Sequence, residues 1–450
     1  MHKDAVNYYH ELLSEADLAA ASVQGLDAGL ESSKLIFGGR RLSPYLRPHF
    51  VSASDWRQIT RVCETVFRAL QKVKDAAVND ESLLDELGLT DIERELVRID
   101  PGYSHVSANC RLDSFLTDDA YSFVELNGES PAGIAYADSA TKIFESLPVF
   151  QKFAERYEVI GLEGSSKMLE VLLGCYEEFL GRKPDTPPTI GIVDLKGLPT
   201  QKEFELFSEY FERQGYPAVI AAPDELEFAD GKLVSNGTSI DIVYKRLLVN
   251  EYLPIMTEAP ALLDAYRAGA VCVVNSFQGK IVHKKAIFAV LTNEKYGSLF
   301  DEAELTAIQD HVPWTRKFVE GKTINHGDEI DLVEWTRGNA SKLVLKPSDD
   351  YGGHGIYLGW TSSEAEWSDA IQDALANGDY LVQERVKTAK EQFPMLTDDE
   401  GNWQMVEQLV DLDPLLFLGK VGHAFTRLSS SELANVTAGG GMVPTFIIED

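Results

Sequence analysis

The chain has 450 residues, of which 44% are hydrophobic and 25% charged. These are ordinary globular values and exclude a disordered, collagen-like or coiled-coil chain. Its 72 acidic residues against 41 basic ones give a net charge of −31, which disfavours nucleic acid and anionic membranes as partners. The acidic excess is most simply a solubility feature. At roughly 100–200 residues per domain, the length predicts two to four domains.

The cysteines and the first residues indicate the cellular compartment. The four cysteines form no CxxC pair, so neither a zinc knuckle nor a disulfide framework is expected. The first residues have an amphipathic helical pattern and lack the apolar core of a signal peptide. No stretch approaches the ~18 apolar residues that span a bilayer. We therefore expect a cytoplasmic protein with reduced thiols.

In the first half of the chain, the predicted secondary structure changes once, from helices to strands. Residues 1–95 have a mostly helical pattern, with apolar residues at helical spacing. Between residues 96 and 185, the segments CRLDSFL and SFVELNG read as two strands joined by the acidic turn 117–120.

The second half is richer in strands. Residues 186–290 alternate apolar strands such as TIGIVDL with helical segments, which predicts a parallel sheet. Residues 291–450 read as the strands of a mixed sheet with a few helices between them.

The two predicted strands of the 96–185 segment carry paired polar residues. Arg111 and Asp113 share one face of the first strand, and Glu125 and Asn127 share one face of the second. If the strands pair as a hairpin, Asp113, Glu125 and Asn127 converge into an all-oxygen site suited to Mg²⁺. Arg111 would then stabilise charge on a transferred phosphoryl group. The alternative is the solvated polar face of an edge hairpin.

A glycine-rich loop follows the strand that ends at Lys346. It carries Gly352, Gly353 and Gly355 and leads into a second strand. Glycines let backbone N–H groups approach phosphate oxygens, and a lysine adds positive charge. The loop opens into a strand rather than a helix, which argues against a P-loop or a dinucleotide-binding loop. The alternative is an ordinary glycine-rich hairpin turn.

Two other segments are candidates for nucleotide contacts. Lys284 and Lys285 precede a helical segment, where two cations oppose the helix dipole unless an anion binds. The sequence leaves open which lysine faces a nucleotide. Gln383 and Glu384 end an apolar strand and are candidates for contacts with adenine or ribose, with an ordinary strand end as the alternative.

The last segment with a candidate role contains Arg427 and the run Asn435 to Gly441, which ends in three glycines. Such a run is a candidate for a loop that closes over phosphate or substrate. The alternative is a mobile loop near the chain end. The histidines are scattered without HxH or HExxH spacing, so no zinc site is predicted.

Taken together, these motifs resemble the circularly permuted ATP-grasp proteins related to glutathionylspermidine synthetase. In an ordinary ATP-grasp chain, the lysine and the glycine loop come before the acidic E-x-N strand. Here RLD…VELN comes first and LKPSDDYGGHG follows much later. The resemblance extends from about residue 100 onward.

The resemblance implies an α+β fold with a permuted ATP-grasp architecture. Its expected parts are a helical N-terminal region (1–95), the metal-binding hairpin and helix of the permuted core (96–185), a pre-ATP-grasp-like α/β domain (186–290) and the nucleotide-binding portion (291–450).

The resemblance also implies ATP and Mg²⁺ as cofactors and assigns roles to the motif residues. The metal ligands would be Asp113, Glu125 and Asn127, and the catalytic residues would be Arg111 and Arg427. The nucleotide would contact Lys285, Lys346, Gly352, Gly353, Gly355, Gln383 and Glu384.

The implied activity is ATP-dependent ligation of a small-molecule carboxylate to an amine through an acyl phosphate. The amidase domain of bifunctional glutathionylspermidine enzymes has no counterpart here, and no glutathione or spermidine site is recognisable. Two alternatives keep the nucleotide site: a phosphotransferase without ligation, and a nucleotide-binding scaffold or sensor without turnover.

Overall fold

The computed structural model describes residues 3–37, 40–350, 352–398, 400–432 and 440–449. Helices and strands are mixed along these residues, which confirms the expected combination of α and β structure. The helices are α1 Lys3–Leu13, α2 Ala16–Ser32, α3 Ala53–Ala77, α4 Glu81–Leu87, α5 Asp91–Val97, α6 Ile134–Ser146, α7 Pro148–Ala154, α8 Ser165–Leu180, α9 Gln201–Arg213, α10 Val249–Tyr252, α11 Ala261–Arg267, α12 Gly279–His283, α13 Ile287–Leu291, α14 Glu302–His311, α15 Leu332–Gly338 and α16 Glu364–Asn377. The strands are β1 Ile36–Phe37, β2 Arg40–Arg41, β3 His49–Ser52, β4 Asn109–Leu116, β5 Tyr121–Asn127, β6 Val159–Gly161, β7 Ile190–Val193, β8 Ala218–Ala221, β9 Leu226–Ala229, β10 Lys232–Ser235, β11 Thr238–Ile240, β12 Ile242–Lys245, β13 Cys272–Val274, β14 Thr315–Lys317, β15 Lys322–Asn325, β16 Asp328–Asp331, β17 Leu343–Pro347, β18 Tyr357–Leu358, β19 Tyr380–Glu384, β20 Ala389–Leu396, β21 Trp403–Phe417, β22 Lys420–Ser429, β23 Gly441–Val443 and β24 Thr445–Ile448.

The largest sheet joins segments that are far apart in the chain. Its order is β23-β22-β21-β4-β5, with β20 paired to β21. The predicted hairpin is present as β4 and β5, and β4 pairs with the much later β21. Leu112 and Leu412 belong to the core cluster that includes Val66 and Leu70 of α3. Because strand residues alternate between faces, their polar neighbours point to the opposite side of the sheet.

A second antiparallel sheet has the order β14-β19-β17-β18. Leu343 and Leu345 of β17 pack in one core cluster with Trp367 and Ile371 of α16. This packing covers one face of the sheet and, by the same alternation, turns Lys346 to the other face.

The parallel sheet expected from residues 186–290 is confirmed, with the order β13-β12-β7-β8. Phenylalanines of α9 pack in the core cluster that contains Ile190 and Ile192 of β7. The antiparallel strands β9, β10 and β11 were not anticipated. Their tight turns use Asp230-Gly231 and Asn236-Gly237, whose positive φ angles are typical of two-residue hairpin loops.

The N-terminal residues are mostly helical, but they are not separate from the rest of the fold. Strand β3 pairs in parallel with β24, which also pairs with β6. Helix α3 begins after Ser52, whose hydroxyl accepts a 2.8 Å hydrogen bond from the Asp55 backbone N–H. In the described part of the chain, no helix is both long and apolar enough to cross a bilayer. The division into four segments stays a prediction.

Candidate functional site

A cavity of about 500 Å³ lies where the two antiparallel sheets and the carboxyl edge of the parallel sheet meet. This volume is in the usual range for a small-molecule site. Of the residues to which the resemblance assigned a metal, catalytic or nucleotide role, all except Gly355 lie on its wall, although they come from distant parts of the sequence. These wall residues are Arg111, Asp113, Glu125, Asn127, Lys285, Lys346, Gly352, Gly353, Gln383, Glu384 and Arg427.

The β4–β5 hairpin brings its polar residues together as its register requires. Asp113 lies opposite Glu125, and Arg111 lies opposite Asn127. The Asn127 Nδ2 donates a 2.9 Å hydrogen bond to Asp113 Oδ1. Arg111 holds the same carboxylate in a bidentate pair, with distances of 2.7 Å from Nε to Oδ1 and 3.1 Å from Nη2 to Oδ2. The predicted hairpin geometry is therefore present, while the role of these residues as metal ligands stays a prediction.

Two carboxylates that the sequence analysis missed complete this group. Asp411 and Asp413 of β21 offer oxygens that lie within 4.8 Å of one another and of an Asp113 oxygen. Arg427 of β22 lies among the three, with Nη2 bonded to Asp113 and 2.6 Å from Asp411 Oδ2, and Nε 3.0 Å from Asp413 Oδ2. The D-x-D spacing on one strand was the available signal. We call Arg111, Asp113, Asp411, Asp413 and Arg427 the arginine–aspartate cluster.

Burial and the charges in this cluster together shift the pKa values of its carboxyl groups in different directions. Burial alone would raise the pKa of Asp113, but the positive charges of Arg111 and Arg427 outweigh it and lower that pKa. Burial raises the pKa of Asp411, and it raises that of Asp413 well above its ordinary value. Two guanidinium groups face three carboxylates, so the cluster carries a net negative charge when all three are ionised.

Lys346 links the second sheet to the hairpin. Its Nζ donates to the backbone oxygen of Val124 at 2.7 Å and to Gln383 Oε1 at 2.8 Å. The Gln383 amide in turn donates to Thr315 Oγ1 at 2.9 Å. Burial lowers the pKa of Lys346 to about 7, although the nearby Glu125 raises it in part. Burial thus disfavours the charged form of this lysine, and an anionic ligand would stabilise that form.

The glycine loop adopts a backbone that side chains disfavour. Gly352, Gly353 and Gly355 have φ angles of 74°, 78° and 66°. A Cβ at Gly355 would lie 2.7 Å from the hydroxyl oxygen of Tyr380, so this glycine serves packing and geometry rather than the cavity wall.

The structure distinguishes the two adjacent lysines. Lys285 lies on the cavity wall, with Nζ bonded to the backbone oxygen of Asp350 and 3.4 Å from Glu125 Oε2. Lys284 instead donates to the Gly88 backbone oxygen at 2.7 Å and lies 3.1 Å from Glu93 Oε2. Both charges are met by carboxylates of the protein, so their position before a helix does not by itself require a bound anion. The expectation that the two lysines need an anion at this helix start is therefore wrong.

The remaining predicted residues have partners within the protein. Glu384 lies 2.9 Å from the Nε2 of His326, and Gln383 is buried against Lys346, so a role at adenine stays a prediction. The residues from Asn435 to Gly439 fall outside the described residues. Gly441 opens strand β23, where a Cβ would lie 2.7 Å from the ring of Tyr45.

Comparisons with known proteins give weak sequence similarity and a clear fold similarity. No protein-family model matches the chain. Two curated proteins named "Putative glutamate–cysteine ligase", 2-2 in Frankia casuarinae and 2-3 in Frankia alni, are each 23% identical to it over 89% of its length. The chain spans 46% of the length of each of these relatives.

Among solved structures, a glutathione synthetase-like effector from Globodera pallida in its apo form matches the fold. The TM-score is 0.64 at 12% sequence identity, with 95% of this chain and 96% of the other chain covered. The chain therefore shares the mixed α/β fold of this effector.

Proposed function

We propose that the protein is an ATP-dependent carboxylate–amine ligase of the permuted ATP-grasp type, similar to glutathionylspermidine synthetase. The observation that carries this proposal is the 2.7 Å bond between Lys346 and Val124, the residue before Glu125. It joins the lysine and glycine loop to the acidic hairpin around one cavity. A phosphate-binding lysine beside oxygen donors and an arginine is the arrangement that phosphoryl transfer needs.

The cationic residues would bind and orient the triphosphate. Lys285 and Lys346 line the cavity near Gly352 and Gly353, so side-chain cations and backbone N–H groups are available to phosphate oxygens. Gln383 accepts a hydrogen bond from the ammonium group of Lys346 and so holds the positive charge of the lysine in place. Arg111, held in a bidentate pair with Asp113, would stabilise charge that develops as the γ-phosphoryl group passes to the carboxylate substrate.

The donors at the hairpin fit Mg²⁺ by their chemistry. Glu125, Asn127 and Asp113 supply carboxylate and amide oxygens on one face of the hairpin, which are the ligands that this cation prefers. Glu125 is the most accessible of the carboxylates, whereas the arginine–aspartate cluster holds the oxygens of Asp113. We therefore assign Glu125 and Asn127 the direct contacts with Mg²⁺, and Asp113 the third ligand position. When bound, Mg²⁺ neutralises charge on the phosphates.

The names of the relatives suggest amino-acid-derived substrates. A glutamate–cysteine ligase joins a carboxylate to an amine, which agrees with this reaction class. Because this chain corresponds to about half of those proteins, the identity of the acid and of the amine is part of the proposal.

The test is release of ADP and phosphate from Mg·ATP with a panel of carboxylates and amines that includes glutathione, glutamate, cysteine and spermidine. A ligase releases phosphate only when an acid and an amine are both present. Release of ADP with a stable phosphorylated product would indicate a phosphotransferase. ATP binding with no ADP release for any pair would indicate a scaffold or sensor and overturn the ligase proposal.

A further inference from the structure

One end of the cavity lies beyond the strands of the parallel sheet. Asp194 directly follows β7 and Arg246 directly follows β12, and both line the cavity. The two strands are neighbours, and the Arg246 backbone N–H donates to the Val193 oxygen at 2.9 Å. Ligands of open parallel α/β sheets bind at this carboxyl edge. No predicted nucleotide residue lies here, so this end is available to a different ligand.

The positive charge of Arg246 is already paired with a carboxylate of the protein. Its Nη2 lies 3.3 Å from Glu203 Oε2, and its Nη1 donates to the Pro131 oxygen at 2.7 Å and to the Tyr244 hydroxyl at 3.1 Å. Glu203 accepts a further 2.7 Å bond from the Gly133 backbone N–H. The Arg246–Glu203 pair is therefore neutral and leaves no surplus positive charge to attract an anionic substrate.

Asp194 differs from the other buried acids of the cavity. It is 8% exposed, and its Oδ1 accepts a 2.7 Å bond from the Leu195 backbone N–H. Among the described residues, no basic side chain lies within ion-pair distance of it. Burial raises its pKa to about 6, and the charges that act on it are those of Arg246, Glu251 and Lys245. A buried carboxylate without a cation is costly, so the site is suited to a ligand that supplies one.

A second acid lines the same end of the cavity. Glu251 belongs to α10 and uses one oxygen to accept a 2.9 Å bond from the Leu248 backbone N–H. Asp194 and Glu251 are thus both acids on this part of the cavity wall. The Nε of Arg246 is buried and has no hydrogen-bond partner among the described residues, so it is a donor for an acceptor group elsewhere on the ligand and not for the ammonium itself. The buried Asp194 carboxylate favours a cationic group.

This end of the cavity lies next to the proposed reaction centre. Arg111 donates from Nη1 to the Ala132 oxygen at 3.0 Å, while Arg246 bonds the oxygen of the preceding residue, Pro131. The two guanidinium groups therefore hold successive carbonyls of one short segment. A ligand bound beside Asp194 is close to a group that reacts beside Arg111.

We infer that Asp194, with Glu251 beside it, binds the ammonium group of the amine substrate and accepts its proton. The proton step rests on the proposed ligase function. The ammonium gives one proton to the Asp194 carboxylate, and the free nitrogen attacks the acyl carbon. The C–N bond forms, the C–O bond to phosphate breaks, and phosphate leaves with that electron pair and the second nitrogen proton. Asp194 then releases its proton to solvent.

The first test measures binding by the full chain without ATP. Putrescine is titrated calorimetrically, with butane-1,4-diol as its uncharged counterpart. We expect saturable binding of putrescine, no binding of the diol, and at least about tenfold weaker putrescine binding by Asp194→Asn. Asp224→Asn is the matched control, because Asp224 is an exposed acid paired with Lys196. Equal binding by Asp194→Asn and wild type, or no saturable binding of putrescine, would overturn the inference.

The second test separates this inference from the proposed function. If no acid and amine pair gives ADP release, yet putrescine binding depends on Asp194, the ligase proposal fails and the ammonium site stands. If the ligase is active, Asp194→Asn should raise KM for the amine and lower kcat while KM for ATP is unchanged. An active ligase whose amine KM and kcat are unaffected by Asp194→Asn would overturn the inference alone.

Discussion

The ammonium group of Lys346 on β17 donates a 2.7 Å hydrogen bond to the backbone oxygen of Val124 on β5, although the residues are 222 positions apart in the sequence. The sheet that contains β17 thereby places the buried ammonium group of Lys346 against the acidic β4–β5 hairpin of the largest sheet. The bond is made to a neutral carbonyl rather than to a carboxylate, so the positive charge of Lys346 is available to a ligand. Burial lowers the pKa of this lysine to about 7.

Replacing Lys346 by methionine should weaken ATP binding by at least about tenfold, because a buried cation contributes strongly to phosphate binding. Titration calorimetry measures this change, with Lys322→Met as the control. Lys322 is exposed and pairs with Glu329, so its loss should leave affinity unchanged. Wild-type affinity in Lys346→Met would contradict the nucleotide-binding role of the glycine loop and its lysine.

The low pKa of Lys346 also predicts how stability depends on pH. In the unfolded chain this group titrates near its ordinary value of 10.5, whereas in the folded protein it titrates at about 7. Between these values the unfolded state holds a proton that the folded state lacks, so the contribution of Lys346 to the free energy of unfolding rises with pH. Urea denaturation from pH 7 to pH 9 should show a steeper rise for wild type than for Lys346→Met. Parallel curves would contradict the lowered pKa.

Glu125→Gln should reduce ADP release by at least about 100-fold, because it removes a charged oxygen donor from the proposed metal contacts. The side chain of Glu125 is 27% exposed and pairs only loosely with Lys285, so the fold should survive. Steady-state ADP release and a melting curve give the two readings. Glu329→Gln, at an exposed acid, should change neither. Wild-type turnover in Glu125→Gln would contradict the metal assignment.

Arg427→Met should lower the free energy of unfolding at pH 7 by about 3–5 kcal/mol, because it removes one of the two cations that face three buried carboxylates. Asp411 and Asp413 already have raised pKa values in the folded protein. Such groups gain protons more readily when folded, so the destabilisation should shrink as the pH falls from 7 to 5. Urea denaturation at pH 7 and at pH 5 measures this destabilisation. A loss that is the same at both values would show that the carboxylate charges do not cause it.

The local parts of the site could be predicted from sequence, whereas its long-range parts could not. Arg111, Asp113, Glu125 and Asn127 lie on two strands joined by one short turn, so strand alternation alone brings them together. Asp411 and Asp413 reach the same group only because β21 pairs with β4, and no local pattern encodes that pairing.

The sequence also did not show which carboxylates pair with the two adjacent lysines. Lys284 and Lys285 look equivalent as neighbours, but Lys284 pairs with Glu93 and Lys285 pairs with Glu125. The glycine at position 441 looked like part of a loop, yet the ring of Tyr45 beside it requires a residue without a side chain. Both facts depend on partners from remote segments.

The pairing of β4 with β21 and of β21 with β22 has a consequence for how the protein is made. Arg427 meets Asp113 across 314 positions, so a chain emerging from the ribosome displays its acidic hairpin long before the second arginine has been synthesised. The cavity cannot acquire its charge balance until β22 has left the exit tunnel. Contacts of such long sequence separation slow folding, because the chain loses the entropy of closing a long loop before the contacts can stabilise the closed form. Ribosome-bound chains truncated before β21 should therefore show no protease-protected hairpin, and protection should begin only after the β22 segment has emerged.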